Sequence, residues 1–378
     1  MSKDYSPIFD LARNLYENSS PEHPLWHVKP KNHRWDYVDG CMIKGAMELY
    51  SVTKDRFYFD VVKKFVDHYV EPDGNISGYD LEEYNIDHIN GGKVLFELYN
   101  ETGDARYKNA IELLMKQLKG HPRTNEGNFW HKQIYPNQVW LDGLYMAQPF
   151  YARHDIEFGG KQNISDIMQQ FQNVYRLMRD KSTGLFYHGY DESREIFWAN
   201  KETGLSPHFW SRAMGWYAMA LADTAEALME SGNESKILGE HLHSLCDALN
   251  KQLSPDKMLY QVTDMGSSPG NYTETSGSLS LAYSMMKGAR LGIVPKSYFE
   301  KGKDIFESVV QNKLIIQDGK PVLKDTVLVS GLGGMPGMGD YKLRDGSYEY
   351  YISEPKADND GKGVAILFYA LSEVLRNG

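Results

Sequence analysis

An eight-residue segment of this chain returns 49 residues later. Glu48 to Asp55 (ELYSVTKD) and Glu97 to Asp104 (ELYNETGD) match at Glu, Leu, Tyr, Thr and Asp, and Tyr58 and Tyr107 keep the same offset. In each copy an apolar helix ends near the first tyrosine, and the aspartate occupies the N-cap position of a second helix. A helical hairpin that returns with this period is typical of all-helical repeat architectures.

The two helices of each unit differ in their expected burial. Residues 104–119 carry apolar side chains on one face and charged ones on the other, which predicts an outer helix. Residues 213–228 are apolar on nearly every side, which predicts a buried inner helix. Inner helices are expected to start near Tyr37, Asp87, Val139, Trp210, Thr275 and Asp360. Outer helices are expected near residues 5–18, 55–70, 104–119, 163–180, 234–252 and 296–312.

Six inner and six outer helices predict an all-α fold, an (α/α)6 six-hairpin barrel that residues 1–378 form as a single domain. Closure would place the first helix beside the last inner one, whereas an open solenoid would need polar capping repeats. The best strand candidate, Val322 to Val329, predicts a small hairpin. Gly331 to Gly339 lacks the Lys-Ser/Thr ending of a phosphate loop, so we expect a flexible loop over the barrel mouth.

The overall composition limits the kinds of partner. The chain has 378 residues and a formal charge of −10, and such an acidic chain is poorly suited to nucleic acid. It shows no apolar run long enough for a membrane span and no signal peptide, so we expect a cytoplasmic protein. The two cysteines lack metal-ligand spacing, and His241 and His243 fall on an outer helix. We therefore expect no metal and no cofactor.

Residues that could carry chemistry concentrate where the inner helices are expected to start. Trp140-Leu141-Asp142-Gly143 puts a carboxyl group among aromatic and apolar neighbours, where it is costly unless paired or functional. Arg212 lies between two tryptophans, which favours pairing with an anion or stacking. An aspartate that opens a helix is most often only an N-cap, and this alternative stays open for Asp39 and Asp87. The other candidates at this rim are His88, His131, Lys132, Trp140, His188 and Trp210.

Four stretches of the chain resemble a known family. They are residues 139–151 (VWLDGLYMAQPFY), 209–216 (FWSRAMGW), 331–334 with 344–355 (RDGSYEYYISEP), and 358–367. Over nearly its whole length the chain resembles the unsaturated rhamnogalacturonyl hydrolases, glycoside hydrolase family 105. The resemblance implies a six-hairpin α/α barrel with Asp142 as general acid and base and Asp87 as a second catalytic carboxylate. The substrate-binding residues that it implies are His131, Lys132, Trp140, Met146, His188, Trp210, Arg212 and Trp216.

The substrate implied by the resemblance is an unsaturated oligosaccharide from pectin, a 4,5-unsaturated galacturonic acid linked to rhamnose. Protonation of C4 would create a cation at C5, water would add there, and the anomeric bond would collapse without attack at C1. Two alternatives stay open. A sugar epimerase of the N-acylglucosamine 2-epimerase type would need paired histidines on inner helices, and a non-catalytic glycan-binding protein would not need Asp142. We expect a monomer or a weak homodimer that binds neither nucleic acid nor membranes.

Overall fold

Long helices alternate along the chain between an outer and an inner ring. The computed structural model describes residues 4–28, 34–229, 231–232, 234–333 and 343–377. The outer ring consists of α1 (Ser6–Glu17), α3 (Arg56–Tyr69), α5 (Ala105–Gly120), α7 (Ile164–Leu177), α9 (Glu234–Asn250) and α11 (Ser297–Lys313). The inner ring consists of α2 (Tyr37–Thr53), α4 (Leu95–Thr102), α6 (Leu141–Glu157), α8 (Ser211–Ala227), α10 (Thr275–Arg290) and α13 (Gly361–Arg376). The predicted (α/α)6 barrel is confirmed.

Direct packing between neighbouring helices closes the inner ring. α6 packs against α8, α8 against α10, α10 against α13, and α13 against α2, and a 3₁₀ segment before α4 joins α2 to α6. The first helix, α1, lies against α13, where the Tyr16 and Phe368 rings are 5.9 Å apart. The chain therefore completes the barrel by placing its first helix beside its last, as the repeat predicts. Apolar side chains between the rings form a continuous core from Ile8 to Val374.

The sequence repeat corresponds to two equivalent turns between an inner and an outer helix. The residue after each inner helix has a left-handed backbone, with φ of 57° at Lys54 and 69° at Gly103. The next residue, Asp55 or Asp104, accepts a hydrogen bond from the backbone N–H two positions later. Each aspartate thus caps an outer helix. These two aspartates are structural, and the repeat marks the frame of the barrel rather than its chemistry.

The second inner element differs from the predicted helix. It begins as a 3₁₀ segment, Ile86–Val94, and becomes the α-helix α4 only from Leu95. The adjacent Gly91 and Gly92 disfavour an α-helix here. They also allow close packing, since a Cβ at Gly91 would lie 2.4 Å from the Trp35 ring.

Short antiparallel sheets of two strands fill the connections. The pairs are β1 (Gln138–Trp140) with β2 (Gly189–Asp191), β3 (Leu314–Gln317) with β4 (Lys320–Leu323), and β5 (Thr326–Val327) with β6 (Lys356–Ala357). A short helix, α12 (Tyr348–Ser353), precedes β6. The predicted strand from Val322 to Val329 is wrong in its bounds, because Asp325 has a φ of 59° and divides it between β4 and β5.

The prediction of a flexible loop falls partly on residues 334–339, which lie outside the described ranges. No helix within those ranges is long and apolar enough to cross a membrane.

Eight alternating charges form a ring at the end of the barrel where the inner helices finish. In order around this charged ring they are Lys287, Glu226, Arg290, Glu373, Arg376, Glu48, Lys44 and Asp223. Consecutive members are 2.6 to 2.9 Å apart, except for 3.8 Å between Lys44 and Asp223. Burial opposes ionisation of the carboxyl groups, but the neighbouring cations outweigh it and hold the pKa values of Glu48, Asp223 and Glu226 below their usual range.

Lys93 lies beside the charged ring and replaces a backbone hydrogen bond that is missing in α6. Pro149 has no N–H, so the carbonyl of Tyr145 lacks its usual helical donor. Lys93 Nζ donates to that carbonyl oxygen at 2.6 Å. Burial lowers the pKa of Lys93 well below its usual value. A cavity of about 300 Å³ is lined by this lysine and by members of the charged ring.

Candidate active site

A cavity of about 240 Å³ opens at the other end of the barrel, where the inner helices start. Nine of the ten predicted site residues line it: Asp87, His131, Lys132, Trp140, Asp142, Met146, Trp210, Arg212 and Trp216. The tenth, His188, is fully buried and contacts Asp142. The structure therefore brings together the ten catalytic and substrate-binding residues that the family resemblance implies, although not every candidate at the rim.

A small sheet fixes Asp142 and His188 beside each other. β1 leads directly into α6, and its partner β2 begins immediately after His188. The backbone N–H of Leu141 donates to the carbonyl oxygen of His188 at 3.1 Å. Asp142 thus lies in the first turn of α6, next to His188.

Asp142 makes one close polar contact within the described part of the chain. Its Oδ2 lies 3.2 Å from His188 Nε2, although the two atoms are not aligned for a hydrogen bond. The other ring nitrogen, Nδ1 of His188, lies 2.9 Å from the Tyr351 hydroxyl. The imidazole is therefore held from behind and faces the carboxyl group. Asp142 keeps hydrogen-bonding capacity that is directed at the cavity rather than at a protein partner.

Asp87 has different surroundings from Asp142. Lys132 Nζ lies 2.8 Å from its Oδ2, and His131 Nε2 lies 3.5 Å from its Oδ1. Burial opposes ionisation of Asp87, but the charge of Lys132 outweighs it and holds the pKa of this carboxyl below its usual range. Burial lowers the pKa of His131 to about 4, although Asp87 acts in the opposite direction. Asp87 is therefore an ionised carboxylate beside a cation and a neutral imidazole.

One wall of the cavity is a stack of rings around Trp140. The His131 and Trp140 rings stack with centroids 4.3 Å apart, and Tyr135 stacks on Trp140 at 5.1 Å. Gly143 makes room for this arrangement, because a Cβ there would lie 3.1 Å from His131 Nδ1. Apart from its chain neighbours, the closest group to Gly143 is therefore the His131 ring.

Arg212 forms part of the cavity floor and is only 2% exposed. Its terminal nitrogens donate to Ser276 Oγ and to the carbonyl oxygens of Val327 and Leu328, whereas its Nε has no partner among the described residues. The guanidinium carbon lies 4.8 Å from the centre of the Trp210 ring. Of the two expected interactions, pairing with an anion or stacking, the structure shows stacking on Trp210. Two of its three hydrogen bonds to described residues, however, go to the backbone of residues 327 and 328.

Asp39 and His88 were also considered at this rim, but neither lines the cavity. Asp39 Oδ1 accepts from Trp26 Nε1 at 2.8 Å and lies 2.8 Å from His27 Nε2. His88 Nε2 lies 2.9 Å from Arg34 Nη2, and the backbone carbonyl of His88 accepts a hydrogen bond from Trp35 Nε1. Both side chains are engaged in joining the segment before α2 to the barrel.

The described residues contain one group with metal-ligand geometry, and it lies outside the cavity. Single ligand atoms of His27, Asp36 and Asp39 lie within 4.8 Å of one another. Two of these carboxyl groups already accept hydrogen bonds, since Asp36 caps α2 through the Val38 N–H and Asp39 accepts from Trp26. This group therefore has a structural explanation without an ion.

Six residues that line the cavity were not predicted as site residues. They are Tyr37, Tyr135, Val329, Ser330, Gly331 and Arg344. Tyr37 was noted only as the start of an inner helix, and Gly331 and Arg344 only as part of matching stretches. For Gly331 and Arg344, which do not lie at a helix start, the sequence signal for a place in the site was their position in a matching stretch.

A sequence model of Glycosyl Hydrolase Family 88 matches residues 13–378. The chain belongs to this family. A solved family 105 glycoside hydrolase from C. acetobutylicum ATCC 824 is 42% identical, covers both chains completely and superposes with a TM-score of 0.90. This full-length likeness confirms the resemblance to family 105.

Two curated relatives give further context for this family 88 and 105 enzyme. Protein Atu3128 of Agrobacterium fabrum is 35% identical over 61% of this chain and 98% of its own length. The unsaturated rhamnogalacturonyl hydrolase YesR of Bacillus subtilis is 27% identical over 68% of this chain and 72% of its own length. The family identifies the protein as a glycosidase with a carbohydrate substrate, and it does not favour the epimerase alternative.

Proposed function

We propose that this glycosidase removes a 4,5-unsaturated galacturonic acid from rhamnose by hydrating the C4=C5 double bond, with Asp142 as acid and base. The observation that carries the proposal is the contrast between two carboxyl groups in one cavity. Lys132 keeps Asp87 ionised, whereas Asp142 lines the cavity and, among the described residues, has a close polar contact only with the His188 imidazole. Unequal surroundings of this kind suit one carboxyl to carry charge and the other to exchange protons.

The reaction needs one group that donates a proton and then accepts one. Asp142 gives its proton to C4, and the ring oxygen stabilises the cation that forms at C5. Water adds at C5 while the Asp142 carboxylate takes one of its protons. The resulting hemiketal opens by breaking the bond between C5 and the ring oxygen, and the hemiacetal left at C1 releases the second sugar. Asp142 ends protonated, as it began.

The other side chains position the substrate. The negative charge of Asp87 faces the same space and stabilises the developing cation. Trp140 and Trp210 line the space that the sugar rings would occupy. The floor residue Arg212 supplies positive charge toward the uronate carboxylate through its free Nε. His188 keeps Asp142 in one orientation because Tyr351 fixes its ring.

The choice of galacturonate and rhamnose rests on relatives. The likeness to YesR, named as an unsaturated rhamnogalacturonyl hydrolase, supports it, as does membership of family 105. A solved unsaturated glucuronyl hydrolase specific for heparin shares the fold at 14% identity and a TM-score of 0.71. That degree of similarity supports the fold alone.

A panel of disaccharides tests this proposal. The protein should release rhamnose from unsaturated galacturonyl-rhamnose and should leave the saturated disaccharide intact, since that compound offers no alkene to protonate. Unsaturated glucuronyl disaccharides form the comparison arm. Faster turnover of those compounds would overturn the assigned substrate, and hydrolysis of the saturated disaccharide at a similar rate would overturn the hydration mechanism.

Three further expectations stay predictions. They are a single domain over residues 1–378, a cytoplasmic location, and a monomer or weak homodimer.

A further inference from the structure

The cations that line the active-site cavity differ in how many ion pairs and hydrogen bonds they make with described protein groups. Lys132 is paired with Asp87 at 2.8 Å. Arg212 directs its terminal nitrogens to the carbonyl oxygens of Val327 and Leu328. Arg344 also lines the cavity, yet its side chain has neither an ion pair nor a hydrogen bond to any described residue, and its Nε is buried without a partner. An unpaired buried donor on a cation is costly unless a ligand satisfies it.

Backbone hydrogen bonds anchor Arg344 at the edge of the cavity. Its N–H donates to the Gly333 carbonyl at 2.9 Å, and its own carbonyl accepts from the Gly333 N–H at 3.0 Å. The Tyr350 hydroxyl donates to the Gly331 carbonyl at 2.6 Å. A Cβ at Gly331 would lie 3.4 Å from the Trp140 ring and 3.7 Å from Arg344 Nη1. The bridge to Gly333 thus keeps the Arg344 backbone beside Gly331 and the cavity wall at Trp140.

Arg344 and Arg212 lie at different depths. Arg212 is 2% exposed and packs on Trp210 at the floor. Arg344 is half-buried and lies near Trp140. In the proposed reaction the unsaturated ring must reach Asp142 and the floor. The sugars on the leaving side therefore extend past Trp140 toward the mouth, where Arg344 lies.

We propose that Arg344 binds an anionic group on the leaving-group side of the substrate and so makes the enzyme prefer chains with a second negative charge. This inference rests on the proposed function, because that function fixes which ring lies at the floor. A carboxylate of a further uronate and a sulfate ester share the required chemistry, since a guanidinium can bind either through two parallel hydrogen bonds.

The test compares three leaving groups on the same unsaturated galacturonyl-rhamnose unit. In the first the rhamnose is free, in the second it is extended by galacturonate, and in the third it carries a sulfate ester. Wild type should show a higher kcat/KM for at least one charged compound than for the neutral one, and the two charged compounds show which anion is bound. Arg344→Gln should reduce that preference by about tenfold or more, the usual effect of losing a charged hydrogen bond. The loss should lie in KM rather than in kcat, and Arg344→Lys should restore part of it.

Arg176→Gln on the outer helix α7 is the matched control, because it removes the same charge from a side chain that is 55% exposed and outside the cavity. It should leave the preference intact, and unchanged thermal unfolding of both variants shows that they fold. Equal losses on neutral and charged compounds in Arg344→Gln would show a structural role and overturn the inference, as would a wild type without preference. If wild type cleaves none of the three compounds, the proposed function fails and this inference fails with it.

Discussion

The two ends of the barrel differ in how their buried charged and polar groups are paired. Where the inner helices finish, the eight members of the charged ring each contact oppositely charged neighbours on both sides. Where the inner helices start, several buried polar atoms have no partner among the described residues. They are His131 Nδ1, Asp142 Oδ2, His188 Nε2, Arg212 Nε and Arg344 Nε.

This difference separates stability from function within one scaffold. In the charged ring, buried ionic groups that pair with one another hold four inner helices together, although Asp223 Oδ2 has only the 3.8 Å contact with Lys44. Removing one partner leaves a costly charge behind. Unpaired groups around a cavity lower stability but remain available to a substrate. We therefore expect substitutions around the cavity to lower activity with little effect on stability. Substitutions in the charged ring should lower stability with little effect on activity.

The largest effect is expected for Asp142→Asn. It removes the proposed proton donor and should lower kcat by about 10²–10⁴-fold or more, since Asp87 is held ionised by Lys132 and does not replace it. The free energy of unfolding should change by less than about 1 kcal/mol, the usual value of one charge at a helix N-terminus. Steady-state kinetics and thermal unfolding check both. A folded variant that keeps a tenth of wild-type activity would show that Asp142 is not the acid.

Lys287→Met in the charged ring is expected to lower stability while leaving activity nearly unchanged. The change leaves Asp223 and Glu226 without their nearest cation and should lower the free energy of unfolding by about 3–5 kcal/mol. The activity of the remaining folded protein at low temperature should stay near wild type. Denaturant unfolding measures the first quantity and kinetics the second.

Lys257→Met is the matched control for the charged ring. Lys257 pairs with Asp304 at 2.7 Å, but both side chains are more than half exposed. Its loss should cost less than about 1 kcal/mol. Similar costs for the buried and the exposed lysine would remove the contrast between the ring and ordinary surface pairs.

Gly143→Ala is expected to have a smaller effect, which lowers activity but does not lower stability. Alanine favours a helix over glycine by about 1 kcal/mol, but its Cβ would press on the His131 ring at 3.1 Å. Activity should therefore fall by about tenfold through misplacement of the ring, while stability is kept or rises. In a His131→Ala background the same change should have no further effect on activity. A further loss there would place the role of Gly143 elsewhere.

The smallest effect is a shift in the pH profile of Lys132→Met. The positive charge of Lys132 holds the pKa of Asp87 below its usual range, and burial acts against it. Without that charge the pKa of Asp87 rises, so its carboxylate is lost at a higher pH as the solution is acidified. The acid limb of kcat/KM should move to higher pH, whereas Lys132→Arg should keep it in place. An unchanged limb in Lys132→Met would mean that ionised Asp87 is not required.

The sequence predicted the barrel and the site for reasons that can be traced to particular residues. The repeat at Asp55 and Asp104 set the hairpin frame, and the helix starts gave the rim. It did not predict the charged ring, because Glu48, Asp223 and Lys287 come together only when helices distant in sequence pack side by side. It also assigned Asp39 to the rim, since a helix-start aspartate cannot be distinguished from a cap without its partners.

Simultaneous recording of alkene absorbance and rhamnose release from unsaturated galacturonyl-rhamnose tests the central claim most directly. The account predicts that one alkene is lost for each rhamnose released, never later than the release, and that Asp142→Asn abolishes both signals together. Rhamnose released while the alkene persists in free unsaturated galacturonate would contradict it, because that result requires attack at C1 rather than hydration at C5.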